Sequence, residues 1–441
     1  MKKNMKKKLL TIIMCVLLSV PLIGGIAFAA NLVSISNWSM AEVYSVSYGE
    51  GKKVKYSLDE LIKTYKNSGA EYRKLDLTYQ LNDLNSSQLD TQLSSQNEGI
   101  YNYTQLINQN EALITTYQNQ MTSLEEGSDE WKTLATSMDA CYMNLKAYRA
   151  YIEEAVAIKA DILAQQESYK FIKANAELLS KQEQKKQISV TIERCLSLIV
   201  LKEKNNLADS SVEYNNTLLQ IQKTNFEKGR ATQIDIDYNE AELIYQKNIS
   251  ESISSGYDNL FKYILRTFNI SDEQNTEISI DVKGLRPQNK IGYSTVENSF
   301  NNNDIKAKQL KNNISTIDSE IDILDDSYGA ESIQLAIVKK KRDIASLELE
   351  QWLIERSDII NNLYTDYETK YDAVDIQEKR AEAQHKKYTV ALNKFNLGLI
   401  SKIELEEAEM MLRQSELDAW TALYDYVRVY NALELAMIGL V

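Results

Sequence analysis

Hydrophobic residues in the last third of this chain recur at intervals of seven without a gap. Further apolar side chains, such as Tyr364, Tyr371 and Leu392, follow members of that row by four residues. A seven-residue repeat with two apolar positions is the seam of a coiled coil. One helix alone would leave this seam in water, so we expect other helices to cover it. The row consists of Leu353, Ile360, Tyr367, Val374, Ala381, Tyr388 and Phe395.

Residues that interrupt helices are scarce. No glycine or proline falls between Gly127 and Gly229, or between Gly329 and Gly398. Sheets and loop-rich folds need such residues at their turns, so their scarcity predicts an all-α fold of long helices with little or no β-structure. The expected helices cover residues 57–123, 128–226, 232–268, 295–325, 333–395 and 401–438.

Two segments do not follow the helical pattern. Residues 30–56 have mixed composition and are predicted to be irregular. Residues 269–293 contain a proline and two glycines, and we interpret them as a connector. Within it, Ile278, Ile280 and Val282 alternate with polar residues, which predicts one short strand.

Helix N-termini can be read from local hydrogen-bonding residues. Ser57 precedes a helical pattern and has Glu60 three residues on, which predicts a capping box. Ser128 follows a glycine turn and is the expected cap of the next helix.

Two glycine breaks occur in nearly the same local sequence, 169 residues apart: "NFEKGRATQIDIDYNEAEL" at 225–243 and "KFNLGLISKIELEEAEMML" at 394–412. In each, the glycine can end one helix, a hydroxyl residue can cap the next, and an acid follows at its positive end. We interpret the chain as two tandem repeats of antiparallel helical hairpins, 57–268 and 294–441, with the glycines at the hairpin tips. The matched residues are Phe226 with Phe395, Gly229 with Gly398, Thr232 with Ser401, Asp235 with Glu404, and Leu243 with Leu412.

The N-terminus indicates export from the cytoplasm. Five lysines precede an apolar run that ends in a small-x-small sequence at Ala27–Ala29, which predicts a signal peptide over residues 1–29. An uncleaved anchor is the alternative. Cleavage would remove five positive charges and no negative one, taking the formal net charge from −13 to −18. Such acidity argues against nucleic-acid binding, which requires cationic side chains.

Motifs for catalysis or metal binding are missing from the sequence. The chain has one histidine, His385, without a cysteine or second histidine at ligand spacing. No phosphate-binding glycine loop, nucleophile elbow or zinc-protease motif occurs. We therefore expect no enzyme activity, no cofactor and no metal.

The two tips and the end of the chain resemble the TolC family of outer-membrane efflux proteins. The pattern Phe-x-x-Gly-x-x-Ser/Thr-x-x-Asp/Glu occurs twice, and "AEMMLRQSELDAWTALYDYVRVYNALELAMIGL" is similar to the family's alanine-, leucine- and tyrosine-rich final helix. The resemblance is good over 205–270 and 365–440, and weak over 70–200. It implies a homotrimer forming a hollow α-helical tube, which works with a membrane-fusion adaptor and an ABC- or RND-type transporter.

The resemblance also implies roles for particular residues. The docking turns for the adaptor would be Phe226, Gly229 and Thr232 at one tip and Phe395, Gly398 and Ser401 at the other. The acids that narrow the tube near the tips would be Asp235, Glu404 and Glu407, whereas Tyr238 stands where a further acid could be. The alternative for each acid is a solvated position at a helix N-terminus.

One departure from the family affects the expected location. Each family repeat carries two membrane-spanning β-strands between its first two helices. Residues 322–335 are too short for two such strands of about 9–11 residues each, and residues 90–150 lack alternating apolar positions. We therefore expect a cell-envelope protein at the surface or in the wall of a Gram-positive-type cell.

Two functions remain open on the sequence. The first is a passive export conduit, which explains the duplicated tips. The second is a structural or adhesive cell-surface coiled coil without a channel, which explains the missing strands. The exported substrate, the partner pump and the resting state of the tube do not follow from the sequence.

Overall fold

A computed structural model describes residues 38–68, 70–271, 275–286, 289–328 and 333–441. The predicted signal peptide lies outside these ranges, as do residues 329–332, which fall between the predicted helices 295–325 and 333–395. Within them, none of the helices offers an apolar, weakly charged stretch sufficient to traverse a lipid bilayer.

Long helices make up most of the described chain, which confirms the all-α fold class. The tandem arrangement and the trimer stay predictions. Three β-strands and ten helices are described: β1 Val43–Tyr48, β2 Val54–Ser57, α1 Leu58–Ser68, α2 Ala70–Met121, α3 Asp129–Ala174, α4 Ala176–Glu227, α5 Gln233–Thr267, β3 Thr276–Asp281, α6 Val282–Leu285, α7 Tyr293–Asn303, α8 Ile305–Tyr328, α9 Ile333–Asn396 and α10 Lys402–Met437.

Two of the predicted helices are interrupted, so the prediction that each is continuous is wrong. The helix expected over 128–226 is interrupted at Asn175, whose side-chain amide donates a 2.9 Å hydrogen bond to the carbonyl of Phe171. The helix expected over 295–325 is interrupted at Asp304, whose carboxylate accepts from the amide of Ala307. Short polar side chains compete for backbone groups in this way, so they can interrupt a helix without glycine or proline.

The predicted caps are confirmed. The Ser57 amide donates to the Glu60 carboxylate at 2.7 Å, and the Glu60 amide donates to the Ser57 hydroxyl at 3.2 Å. The Ser128 hydroxyl accepts from the amide of Trp131 at 3.2 Å.

A three-stranded sheet contradicts the prediction that residues 30–56 are irregular. β3 is the central strand, antiparallel to β1 and parallel to β2. The strand predicted in the connector is confirmed, although Val282 already begins the short helix α6. β1 and β2 were not recognisable because their partner strand lies more than 200 residues away.

The described chain forms two compact units. The first contains residues 38–68, 185–293 and 362–434, and the second contains 70–184, 294–361 and 435–441. Units defined by contacts differ from sequence repeats, so the repeat boundaries 57–268 and 294–441 stay predictions.

The second unit is a helical bundle around α2, α3, α8 and the first part of α9. Its main apolar core joins α3, α8 and α9 through Val156, Ile317, Leu324, Leu335, Val338 and Ala345. A separate cluster joins α2 to α3 through Ile114, Cys141 and Leu145.

The first unit is a layer of four helices in the order α5–α4–α10–α9. An ion pair of 2.8 Å between Lys223 and Glu240 joins α4 to α5. Hydrogen bonds from Asn431 to Glu193 and from Lys370 to Asp425 join α10 to α4 and to α9. Along this series of contacts α10 lies between α4 and α9, and we call the two end members, α5 and α9, the edge helices.

The N-terminal segment contacts these helices in the reverse order, from α9 to α5. The amide of Met40 donates to Glu378 on α9. Tyr44 contacts Trp420 on α10 and donates its hydroxyl proton to Glu203 on α4. Tyr48 then stacks on Phe261 of α5. Residues 40–48 thus connect the four helices.

The predicted seam of α9 is buried in its middle. Ile360, Tyr367, Val374 and Ala381 are all buried, but Leu353 is more than one-third exposed and Trp352 takes the buried position instead. A straight helix has 3.6 residues per turn, so its buried face drifts against a seven-residue row. A step of eight between Trp352 and Ile360 restores the alignment.

Candidate functional site

The two tips have the same backbone geometry. Gly229 and Gly398 adopt φ of +68° and +69°. At the first tip, the amides of Gly229 and Arg230 donate to the carbonyls of Phe226 and Asn225. At the second tip, the amides of the glycine and of Leu399 make the matching pair of bonds. This is the Schellman arrangement, which satisfies the last carbonyls of a helix and favours glycine at the left-handed position.

Each outgoing helix starts with a capping box. The Thr232 amide donates to Asp235 at 2.7 Å, and the Ser401 amide donates to Glu404 at 2.7 Å. Each acid's own amide donates back to the hydroxyl, at 3.3 Å in the first tip and 3.4 Å in the second. The four residues predicted at these helix starts are therefore confirmed as capping partners.

The capping bonds hold the acids ionised. Hydrogen bonds from the backbone and hydroxyl of Thr232 lower the pKa of Asp235. Those from the hydroxyl and backbone of Ser401 lower the pKa of Glu404. Glu407 lies exposed one turn further on. Asp235 and Glu404 thus present negative charge at the starts of their helices, where the helix dipole favours it.

The side chains at the bends differ between the tips. Lys228 and Arg230 flank the first glycine and are exposed. Leu397 and Leu399 take those positions at the second tip and are 62% and 69% exposed. Phe226 is also substantially exposed, whereas Phe395 is half-buried. One tip is thus basic with an aromatic ring, and the other is apolar.

Both tips belong to the first unit. A small apolar cluster of Leu219, Ile236 and Leu243 closes the first hairpin. Beside the second tip, Lys402 donates to the hydroxyl of Thr217 on α4 at 3.4 Å. Helix α10 therefore begins its contact with α4 within its first turn.

Two exposed apolar rows run along the edges of the layer. On α5 the row is Ile234, Tyr238, Ala241 and Tyr245, and we call it the α5 edge. On α9 the row is Ile376, Ala383 and Val390, and we call it the α9 edge. Both rows follow coiled-coil spacing, and each lies two positions away from buried residues of the same helix. These helices therefore have apolar faces on two sides.

Sequence reasoning missed these edges and the exposed leucines of the second tip. The signal was available for the α9 edge, because Ile376, Ala383 and Val390 recur at intervals of seven, two positions after the Val374 row. Two residues on a helix span about 200°, so a second row at that offset lies on the opposite side.

The expected absence of a metal site concerns His385 and the acidic side chains. His385 is half-buried on α9. Across the described ranges, no three acidic, histidine or cysteine side chains are grouped so that they could hold a metal ion.

Comparison with known proteins gives similarity to solved structures only. No family model matches the chain, and no curated protein matches it. The outer membrane protein VceC from Vibrio cholerae is 10% identical, with 64% of this chain and 76% of that chain covered at a TM-score of 0.44. The outer-membrane channel OprN is 13% identical, with coverages of 80% and 90% and a TM-score of 0.45.

The CmeC outer membrane channel from Campylobacter jejuni is 10% identical, with coverages of 94% and 95% and a TM-score of 0.44. All three are outer-membrane channels of the TolC-like type. Identity at this level leaves the function of the chain to be argued from its own residues.

Proposed function

We propose that this protein is a passive export conduit of the cell envelope, assembled from copies of the chain, with its two tips docking a membrane-fusion adaptor. The observation that carries the proposal is the pair of apolar edges on α5 and α9, together with equivalent tips in the same unit. The conduit takes no part in chemistry and moves substrate delivered by an ABC- or RND-type transporter.

The two edges support association of one copy with the next. They lie on the outer helices of the α5–α4–α10–α9 layer, so the α9 edge of one copy can pack on the α5 edge of another. Contact between two different surfaces is heterologous, and repeated heterologous contacts close into a ring when the rotation allows. A ring of helical layers encloses a central space.

The number of copies comes from the family resemblance. Two hairpins per chain and six per tube give a homotrimer. Coiled-coil spacing on both edges fits this arrangement, because it lets each helix contact neighbours on two sides.

The tips support docking because they expose side chains that are costly to leave in water. Leu397 and Leu399 project from the second bend, and burying a leucine contributes about 1.5–3 kcal/mol. Lys228 and Arg230 at the first bend suit acidic groups. An adaptor that presents an apolar contact next to an acidic one would engage both tips at once.

The acids near the tips support a preference for cations. Asp235, Glu404 and Glu407 carry negative charge next to the bends, and the whole chain has a formal net charge of −13. If the acids face the central space, the focused negative potential raises the local concentration of cations.

Negative-stain electron microscopy of the full chain tests the assembly. We expect hollow cylinders made of three copies. Ala383→Glu places a charge on the α9 edge and should leave single copies, because an interfacial charge would be desolvated without a partner. Ala112→Glu makes the same change at an exposed alanine of α2 and is the matched control.

Electron microscopy would also reveal an outcome that contradicts the conduit. A solid rod without a lumen, unchanged by Ala383→Glu, would favour the structural or adhesive coiled coil. Single copies at all concentrations in the unaltered protein would also contradict the proposal.

A further inference from the structure

A buried carboxyl group beside the second tip is left without hydrogen bonds. The Glu406 side chain, in the second turn of α10, is 2% exposed. Neither of its carboxyl oxygens has a hydrogen-bond partner among the described residues. The hydroxyl of Tyr214 on α4 is also buried and unpaired within the described chain. Buried polar groups rarely lack hydrogen bonds, and burying an ionised carboxylate without a partner costs more free energy than burying a neutral group.

The charged groups around Glu406 do not compensate for the burial of its carboxyl group. The nearest cation is the ammonium of Lys402, 3.7 Å from Oε1, which is longer than a hydrogen bond. That ammonium is partly exposed and shared with Thr217. Glu213 on α4 and Glu409 on α10 add negative charge nearby.

Burial therefore has the largest influence on the protonation of Glu406. Removal from water raises its pKa to about 8, with Glu213 and Glu409 acting in the same direction and Lys402 against them. A screened cation beyond hydrogen-bond distance does not compensate for the lost hydration. At neutral pH the carboxyl group is mostly protonated and packs as an uncharged group.

The first tip has no such group. Asp237, the matching residue 169 positions earlier, is exposed and accepts a 2.8 Å hydrogen bond from Gln233. The buried carboxyl is therefore a property of the position of α10 between two helices, and the shared tip motif does not require it.

We propose that neutral Glu406 holds the start of α10 against α4, and that loss of its proton to solvent releases these turns and opens the second tip. Ionisation draws water to the carboxylate, and water can reach it only if the first turns of α10 separate from Tyr214. The further step, in which this separation opens a conduit, rests on the proposed function. The separation of α10 from α4 is a property of the single chain.

Infrared spectroscopy of the full chain tests the protonation directly. At pH 7 the difference between the unaltered protein and Glu406→Gln should contain one protonated carboxyl band, which disappears as the pH rises through about 8. Glutamine copies the shape of the neutral acid, so the variant should fold. Asp237→Asn, at the matched exposed position, should leave the band in place. A difference spectrum at pH 7 that contains carboxylate bands and no protonated carboxyl band would overturn the proposal, since Glu406 would then be ionised against Lys402.

Limited trypsin digestion tests the release. Cleavage after Lys402, inside the first turn of α10, should increase about tenfold between pH 7 and pH 9 relative to cleavage after Lys228 at the first tip in the same digest. The ratio should stay constant in Glu406→Gln. A constant ratio in the unaltered protein would overturn the proposal.

The two experiments separate this inference from the conduit. If the carboxyl band disappears and the cleavage ratio rises between pH 7 and pH 9 but no lumen is found, the pH-dependent release of α10 is correct and the conduit is wrong. If a lumen forms but the cleavage ratio does not respond to pH, the pH-dependent release of α10 is wrong and the conduit stands.

Discussion

The two tips share one backbone and differ in nearly everything that surrounds it. Both use a glycine near φ +68°, the same pair of carbonyl bonds and a capping box. The first lies on the edge helix α5, with Ile234 78% exposed. The second leads into α10, which is covered on both sides and buries Leu405 and Glu406.

This difference shows that local sequence and packing determine different properties of a turn. A Schellman bend and a capping box satisfy backbone groups within about ten residues, so they form in the same way wherever the hairpin lies. Which flanking side chains meet water depends on the neighbouring helices. In our proposal the edge tip contributes to contact between copies, and the interior tip contributes the apolar contact and the pH response.

The largest effect is expected from exchanging the side chains at the two bends. Leu397→Lys together with Leu399→Arg should weaken binding of a membrane-fusion adaptor from the same genome by at least about a hundredfold, because two apolar contacts are lost. The reverse exchange, Lys228→Leu with Arg230→Leu, should weaken it less, because exposed ion pairs contribute little. Surface plasmon resonance with immobilised adaptor measures both. Equal losses would remove the distinction between the tips.

Replacing the tip glycines should have equal effects at both tips. Gly229→Val and Gly398→Val should each lower the free energy of unfolding by roughly 2 kcal/mol, because a β-branched residue at positive φ is strained. No neighbouring atom lies within 4 Å of an added Cβ at either glycine, so the strain is in the backbone alone.

Gly256 is the matched control for this pair. It lies inside α5 without positive φ and with open space around its Cβ position. Gly256→Ala should therefore raise the free energy of unfolding by about 0.5–1 kcal/mol. Urea titrations followed by circular dichroism give all three values, and a loss at Gly256 as large as at the tips would contradict the argument from backbone strain.

The smallest effect is expected from the caps. Thr232→Ala and Ser401→Ala should each lower stability by about 1 kcal/mol at pH 7, because the first amides of the helix lose their acceptor. The pKa values of Asp235 and Glu404 are lower in the folded chain than their ordinary values of 3.8 and 4.5.

The lowered pKa values of Asp235 and Glu404 determine how the stability contributed by the caps changes with pH. A lowered pKa stabilises the folded chain above the ordinary value, and this contribution is lost as the pH falls through the folded-state value. The difference between each cap variant and the unaltered protein should therefore shrink below about pH 4. Thermal unfolding from pH 3 to pH 7 measures it, and a difference that grows on acidification would contradict the capping role.

Much of this molecule was determined by its sequence alone. The scarcity of glycine and proline predicts the long helices, and α9 begins and ends within one residue of its expected limits. The bends and caps follow from residues close together in the chain, such as Thr232 with Asp235. Interactions over a few residues need no knowledge of the rest of the fold, so they can be read directly.

Which faces of these helices are covered depends on tertiary packing. The sequence does not show that β1 and β2 pair with a strand more than 200 residues later, or that α10 lies between α4 and α9. It does not distinguish exposed Asp237 from buried Glu406, although the two occupy matched positions. Burial is set by neighbours distant in the chain, and burial determines whether an acid is ionised in solvent or protonated between helices.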